Sequence, residues 1–188
     1  STNAPAPGFT KPGAGVGPSL LHITKNAKGR VFVAPSPSHI HRLQQICNAA
    51  KTCNRKVVVT GRSMLTNTRV ARELGYLKVD ESDLVDAFDI NGIPEDKIVV
   101  MCTGSQGEPL SALSRMANGE HKTLSIHEGD TVIISATPVP GNEKAVQQVI
   151  NSLAKLGCDV YDKSRALVHV SGHASQEELK LMLALTKP

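Results

Sequence analysis

The chain has 188 residues, 40% of them hydrophobic, and a formal net charge of +4. That length suits one sizeable domain with its own core and not two, and the hydrophobic share is ordinary for a soluble globular protein. Aromatic residues make up only 3%, with no Trp, so stacking of bases on aromatic rings is excluded as the main recognition device, while the mild positive charge is compatible with a polyanionic partner without establishing one.

The four cysteines (Cys47, Cys53, Cys102 and Cys158) form no C-x-x-C pair. Their scatter argues against a disulfide framework or zinc knuckle and for a reducing, cytoplasmic setting. No signal peptide or membrane-spanning apolar stretch is read. The chain starts at Ser1 without Met and runs through a Pro/Gly-rich stretch from Pro5 to Pro18. Residues 1–18 are therefore expected to be loop or linker, and the chain is expected to be a processed product or a piece of something larger.

Beyond residue 18, strand and helix signals alternate. Arg30–Ala34 is a short β-branched run. Ser38–Ala50 has helical spacing at Ile40, Leu43, Ile46 and Cys47. Lys56–Thr60 is a strand bounded by Gly61, and Leu65–Leu74 a helix closed by Gly75. Residues 76–96 are irregular, with an acidic patch at Asp80, Glu81, Asp83 and Asp86. Lys97–Cys102 is a strand, Leu110–Ala117 a helix, Thr131–Ala136 a strand and Asn142–Leu156 a long helix stopped by Gly157. Asp159–Asp162 is a short strand and Leu167–Val170 the last strand. Ser175–Leu185 is the last helix, opened by a capping box of Ser175 and Glu178. The strands are continuous apolar runs, which suits a parallel sheet covered on both faces. The order predicts an α/β, Rossmann-like doubly wound domain.

In such a sheet, ligands bind outside the carboxyl ends of the strands. The segments there are Gly61-Arg62-Ser63, Thr103–Glu108, Thr137–Asn142 and Ser171–Ser175. All are small, polar and glycine-containing, so their N–H groups and hydroxyls can line a phosphate site. Each also has a plainer reading. Thr103–Glu108, with Gly104 and Ser105, can be a tight βα loop. Arg62 can be a solvated cation or a phosphate clamp. His39 and His41 enter a helix, where positions two apart diverge, so they favour a groove lining over a metal. His169 alternates with Val168 and Val170 and can be a satisfied core histidine. His173 lies in a glycine-containing turn, where a functional role is more natural. Asp130 and Asp159 read as turn residues, and His22, His121 and His127 as surface positions. No H-x-H-x-D-H cluster occurs, so a hydrolytic metal centre cannot be assembled from this chain alone.

The blocks Ser-Thr-Asn-Ala (1–4), Ser-His-Ile-His-Arg (38–42), Gly-Arg-Ser-Met (61–64), Thr-Gly-Ser-Gln-Gly-Glu-Pro-Leu-Ser-Ala-Leu-Ser-Arg-Met-Ala (103–117), Pro-Gly-Asn-Glu (140–143) and His-Val-Ser-Gly-His-Ala-Ser (169–175) together resemble the β-CASP domain of bacterial ribonuclease J. The resemblance runs through essentially the whole chain. It implies a domain inserted into a metallo-β-lactamase domain, with the active site in the cleft between them. It further implies 5′-to-3′ exonuclease and endonuclease activity on RNA. His173 falls on the histidine of the catalytic centre. His169 and Ser171, with Gly172, fall on the pocket for the 5′-monophosphate of the RNA. Gly104, Ser105 and Thr137 would line the same cleft, with His39 at its groove, and Arg62 would face the RNA channel.

Two zinc ions are implied, held mostly by the partner domain, with no metal ligand within this chain. The family's acidic motif is expected just before Ser1 and a zinc-ligating histidine beyond Pro188. The resemblance thus implies half of a cleft, inactive in isolation. Its partners would be 5′-monophosphorylated RNA and the metallo-β-lactamase domain of the same parent, itself an expected homo-oligomer with no membrane association. Two other classes compete: a stand-alone nucleotide-binding or regulatory α/β module, and a purely structural domain with contacts through residues 80–89.

Overall fold

In the computed structural model, which describes residues 3–187, the apolar runs become six parallel strands. These are β1 (Val31–Pro35), β2 (Lys56–Thr60), β3 (Leu84–Val85), β4 (Ile98–Cys102), β5 (Thr131–Ser135) and β6 (Asp159–Tyr161). They form one sheet in the order β3-β2-β4-β1-β5-β6. The helices are α1 (Val16–Asn26), α2 (Ile40–Thr52), α3 (Arg62–Glu73), α4 (Ala112–Ala117), α5 (Glu143–Lys155) and α6 (Gln176–Thr186). The fold is the expected doubly wound α/β sheet.

Side chains alternate along each strand, so every central strand feeds two cores. Val31, Val33, Val57, Val99, Met101 and Ile133 pack with Leu20, Leu43, Ile46 and Met64 from α1, α2 and α3. Phe32, Ala34, Val58, Val100, Cys102, Val132 and Ile134 pack with Leu113, Met116, Val146 and Leu153 from α4 and α5. Burial on both faces explains why these strands read as continuous apolar runs.

Three expectations change. Helix α1 begins at Val16, inside the stretch read as linker, and residues 19–29 gave no clear signal. Pro18 hid it, although the first turn of a helix tolerates proline because no N–H partner is lost there. Val16, Leu20, Ile23 and Thr24 are the buried stripe. The segment before it is also tied down: Gln176 and Glu177 donate backbone N–H bonds to the carbonyls of Ala6 and Gly8. Leu167–Val170 is not a strand. Val168 is fully buried and Val170 packs on the same core, so the apolar pattern reflects packing. The Val168 carbonyl is taken by side chains, Ser135 Oγ at 2.5 Å and Arg42 Nη1 at 2.5 Å, leaving no ladder to join. Finally, Asp130 is no simple turn residue. It is fully buried and forms a two-bonded pair with Arg30, Nε to Oδ1 at 3.0 Å and Nη2 to Oδ2 at 2.6 Å.

Among the described residues, no helix is long and apolar enough to cross a membrane.

Candidate functional site

Strand order determines where loops diverge. The chain leaves β1 towards β2 and β3, returns to β4, and then crosses β1 to reach β5 and β6. The connections after β1 and β5 therefore part in opposite directions, as do those after β2 and β4. A crevice opens at the carboxyl ends of such neighbours.

At the β1/β5 crevice, Pro35 and Ser135 are paired strand ends. Four residues on, His39 caps α2, its Nδ1 accepting from the Arg42 backbone N–H at 3.2 Å. Arg42 turns into the interior and is only 1% exposed. Its Nη1 donates to Ser135 Oγ at 2.6 Å and to the Val168 carbonyl, and its Nε to Gln45 Oε1 at 2.8 Å. Ser135 Oγ in turn donates to the Val168 carbonyl. This lashing places His169 beside the crevice, half-buried. Burial lowers its pKa, and the positive Arg42 and nearby His39 push in the same direction. His39 is lowered too, by burial and then by Arg42.

The turn that follows is held from behind. The His173 N–H donates to Ser171 Oγ at 3.1 Å. Its carbonyl accepts from Asn3 Nδ2 at 2.8 Å and from Thr10 Oγ1 at 2.9 Å. The capping box of α6 forms as expected, with the Ser175 N–H on Glu178 Oε2 at 2.7 Å. The backbone of His173 is thus fixed while its side chain is exposed. Gly172 is exposed, with nothing within 4 Å of where a Cβ would stand, so a ligand can approach its backbone.

The loops after β4 and β5 are stitched by Gln106. Its Nε2 donates to the Thr137 carbonyl at 3.0 Å, and its Oε1 accepts the Val139 N–H at 2.8 Å. Thr137 is exposed at the rim, whereas Ser105 is buried. Gly104 has φ +122°, and a Cβ there would lie 2.6 Å from Ser111 Oγ and 2.7 Å from Leu113 Cβ. Both the conformation and the space therefore require glycine at the loop's start.

Arg62 stands apart. It opens α3 at the second crevice, exposed, while Gly61 abuts the Thr103 side chain of the neighbouring loop. The same crevice holds His121, which is not the free surface residue expected. Its Nε2 meets Thr60 Oγ1 at 3.2 Å and its Nδ1 accepts the Leu124 N–H at 3.2 Å. The structure thus sets His39 and His169 at the end of β1 and β5, with Ser171, Gly172 and His173 following in the chain, ties Thr137 to the Gly104-Ser105 loop through Gln106, and leaves Arg62 apart at the second crevice.

Sequence reading missed Arg42 and Ser135, the residues that tie this region together. For Arg42 a signal existed: it shares the buried face of α2 with Ile46 and Ala49, where a cation is out of place. Ser135, the last residue of an apolar strand, carried none.

Among the described residues, no three His, Cys, Asp or Glu side chains converge to hold a metal ion. The donor set does not fit a zinc site on its own.

Three relatives are similar along the whole chain: ribonuclease J of Mycolicibacterium smegmatis, 46% identical over 188 residues, ribonuclease J of Thermus thermophilus, 47% identical over 188 residues, and ribonuclease J2 of Bacillus subtilis, 43% identical over 188 residues. The match takes in 100% of this chain and 34%, 33% and 34% of those relatives, so the chain spans about a third of their length. The model of the ribonuclease J β-CASP domain family matches residues 28–153. That span runs from just before β1 through most of α5 and carries five of the six strands, with His39, Arg42 and Ser135 but not His169–His173, and the chain belongs to the family of ribonuclease J β-CASP domains.

Proposed function

We propose that this chain is the RNA-binding and phosphate-recognising half of a ribonuclease active site. The observation that supports the reading is that Arg42, beside the capping His39, bonds the Val168 carbonyl at a strand-order reversal, with His169 and the Ser171–His173 turn next in the chain. An anion held there meets histidine N–H groups, a hydroxyl and the backbone of Gly172. In this reading His169, Ser171 and Gly172 receive the terminal 5′-phosphate. Gly104, Ser105, Thr137 and His39 line the cleft, and Arg62 meets the RNA backbone farther along. Recognition of a terminal phosphate and of backbone shape needs no aromatic platform, which suits the composition.

His173 projects from the fixed turn and supplies a proton or a hydrogen bond at the scissile phosphodiester. Binding the 5′-end first holds that bond in register, converting affinity into position. The zinc implied by the family resemblance is assigned to residues outside this chain, since its own donors do not fit one, and no step here runs through it. The rest of the parent, a metallo-β-lactamase domain, completes the cleft, so the 188-residue chain alone is inactive. Support for a missing partner comes from α6, which buries no residue and exposes Leu181, Met182, Leu183 and Leu185.

The test compares 5′-monophosphorylated with 5′-hydroxyl RNA in the parent chain, with and without His173→Ala. The expected result is preference for the monophosphate and collapse of cleavage in the variant. A folded, metal-loaded parent that leaves both RNAs intact sinks the reading. Nucleotide binding by the 188-residue chain alone would then favour a stand-alone module.

A further inference from the structure

The face of the sheet that carries α4 and α5 holds an opening outside the cleft. Both helices pack on the Phe32–Val132 core, but α4 stops after six residues whereas α5 runs for thirteen. The shorter helix leaves one flank of α5 uncovered, and a cavity of about 450 Å³ lies between them. Its upper end is fixed at Gly107, where a Cβ would lie 2.5 Å from the Ala145 carbonyl carbon, so this loop rests on the backbone of α5. The cavity thus begins one residue beyond Gln106, which stitches the loops after β4 and β5, and runs along the helices to Asn118 and Lys155.

The lining has one chemical character. Val149 is its apolar floor, and Ser114, Asn118, Gln148, Asn151, Ser152 and Lys155 supply the polar groups. Among the described residues no carboxylate lines it, and Lys155 is its one charge. The side chains of Asn118, Gln148 and Lys155 are exposed and make no hydrogen bond or ion pair among the described residues. Asn151 Oδ1 accepts from Gln147 Nε2 at 3.0 Å, which leaves the Asn151 N–H donors free to meet a ligand. Ser114 is only 4% exposed; its Oγ accepts from Ser111 Oγ at 3.0 Å, and its own proton has no acceptor among the described residues. Buried hydroxyls are seldom left so, and this one calls for an acceptor from outside the chain.

We propose that this cavity holds a nucleotide of the RNA strand outside the cleft. Its base lies on Val149 and meets the Asn118 and Gln148 amides along its edge, and its phosphate meets Lys155. The proposal rests on the RNA-binding reading above and adds a second contact on the helical face. Surplus donors and a single cation suit an acceptor-rich anion, and an amide side chain offers a base edge a donor and an acceptor at once. A basic protein segment would find no carboxylate to pair with here. The cavity also opens beside the stitched loops that bound the cleft, where a strand longer than the cleft must pass. Its size falls within the roughly 300–1,000 Å³ of small-ligand sites.

The test is NMR of the 188-residue chain, with side-chain amides resolved, on adding a 5′-hydroxyl decauridylate at low salt. Uridine monophosphate is the comparison. The decamer is expected to shift the Asn118, Gln148 and Asn151 side-chain amides, and the mononucleotide to need a roughly ten-fold higher concentration, because it lacks the second contact. Lys155→Gln, at an exposed position that leaves the fold intact, should make the slope of log affinity against log salt shallower by about 0.7. Asn118→Ala should weaken the groove's response roughly two- to ten-fold. Shifts confined to Arg62, Thr137 and the Ser171–His173 turn overturn the proposal and leave the cleft reading standing. Shifts confined to the groove uphold the proposal while the cleft assignment falls, and no shift in either place overturns both. A mononucleotide that binds as tightly as the decamer overturns the strand assignment, the cavity then being a site for free nucleotides.

Discussion

Two buried arginines in this domain show how differently one residue type is used. Arg30 meets Asp130 through two hydrogen bonds and lies over the Phe32 ring at 5.1 Å. The Asp130 Oδ2 also accepts the His127 N–H at 3.0 Å, so the pair ties the entrance of β5 to the preceding turn. Removing one partner of such a pair strands the other in the interior. Asp130→Ala is expected to destabilise the chain by about 3–5 kcal/mol, read from urea unfolding, and Asp130→Asn by less, since an amide still accepts from Arg30. A loss under about 1 kcal/mol for Asp130→Ala would mean that water reaches Arg30 in the variant. Arg42 has no such counter-ion and lies at the opposite, carboxyl end of the sheet. The contrast separates a residue that secures the fold from one placed at the site. Cys102, fully buried behind the same strand ends, has its thiol pushed up to about 12 by burial and is an inert core group.

At the scale of elements, α6 depends on its cap more than on its packing. Glu178 Oε2 accepts the Ser175 N–H, the Thr10 N–H at 3.0 Å and Thr10 Oγ1 at 2.8 Å. The Ser175 backbone bond is the largest of the causes that hold this carboxyl below the usual 4.5. A carboxylate with a depressed folded pKa contributes stability above the unfolded value and loses it as pH falls through the folded one. The docking of residues 6–10 on α6 is therefore expected to be intact above about pH 4.5 and to loosen below it. Amide shifts of Thr10 and Ser175 should titrate together in that window, and Glu178→Gln should abolish the shared transition. Independent titration would separate the segment from the cap. By contrast, Leu181→Ala or Leu185→Ala should change stability by less than about 0.5 kcal/mol, whereas Leu113→Ala, between α4 and the sheet, should cost about 2–5 kcal/mol.

These elements also mark what the sequence could reveal. The Lys56–Thr60 strand and the Ser175 capping box were legible because β-branched runs and capping signatures are local. Helix α1 was not, because its start lies in a Pro/Gly run and its stripe is short. Leu167–Val170 had strand periodicity, but whether a carbonyl bonds a neighbouring strand or Arg42 depends on residues far away in sequence. For the same reason His169 and His173 stood out as candidates, while Arg42 and Ser135, which hold the backbone just before His169, did not.

Across the whole molecule, the histidines at both crevices respond to acid in the same direction. His39, His121 and His169 all have pKa values lowered from 6.5, with burial the largest cause in each. The next influence on each is a cation: Arg42 for His39 and His169, and Arg115 for His121. A histidine whose folded pKa lies below its unfolded value binds its proton more readily when the chain unfolds. The unfolded state then takes up more protons as pH falls below about 6.5, and stability declines with it. Above that value both states are neutral and the contribution is complete. Thermal unfolding of the 188-residue chain should therefore show a plateau above about pH 7 and a fall from about pH 6.5 towards 5, before the carboxylate window of Glu178 opens. All three rings are partly exposed, so water blunts each contribution. Replacing His39 and His169 with Gln should flatten the fall at the β1/β5 crevice, while His121→Gln should reduce it independently, since Arg115 and Arg42 belong to separate crevices. A melting temperature that stays level from pH 7 to 5 would show these rings accepting protons without penalty, and the lowered proton affinity that burial gives them would have to be abandoned.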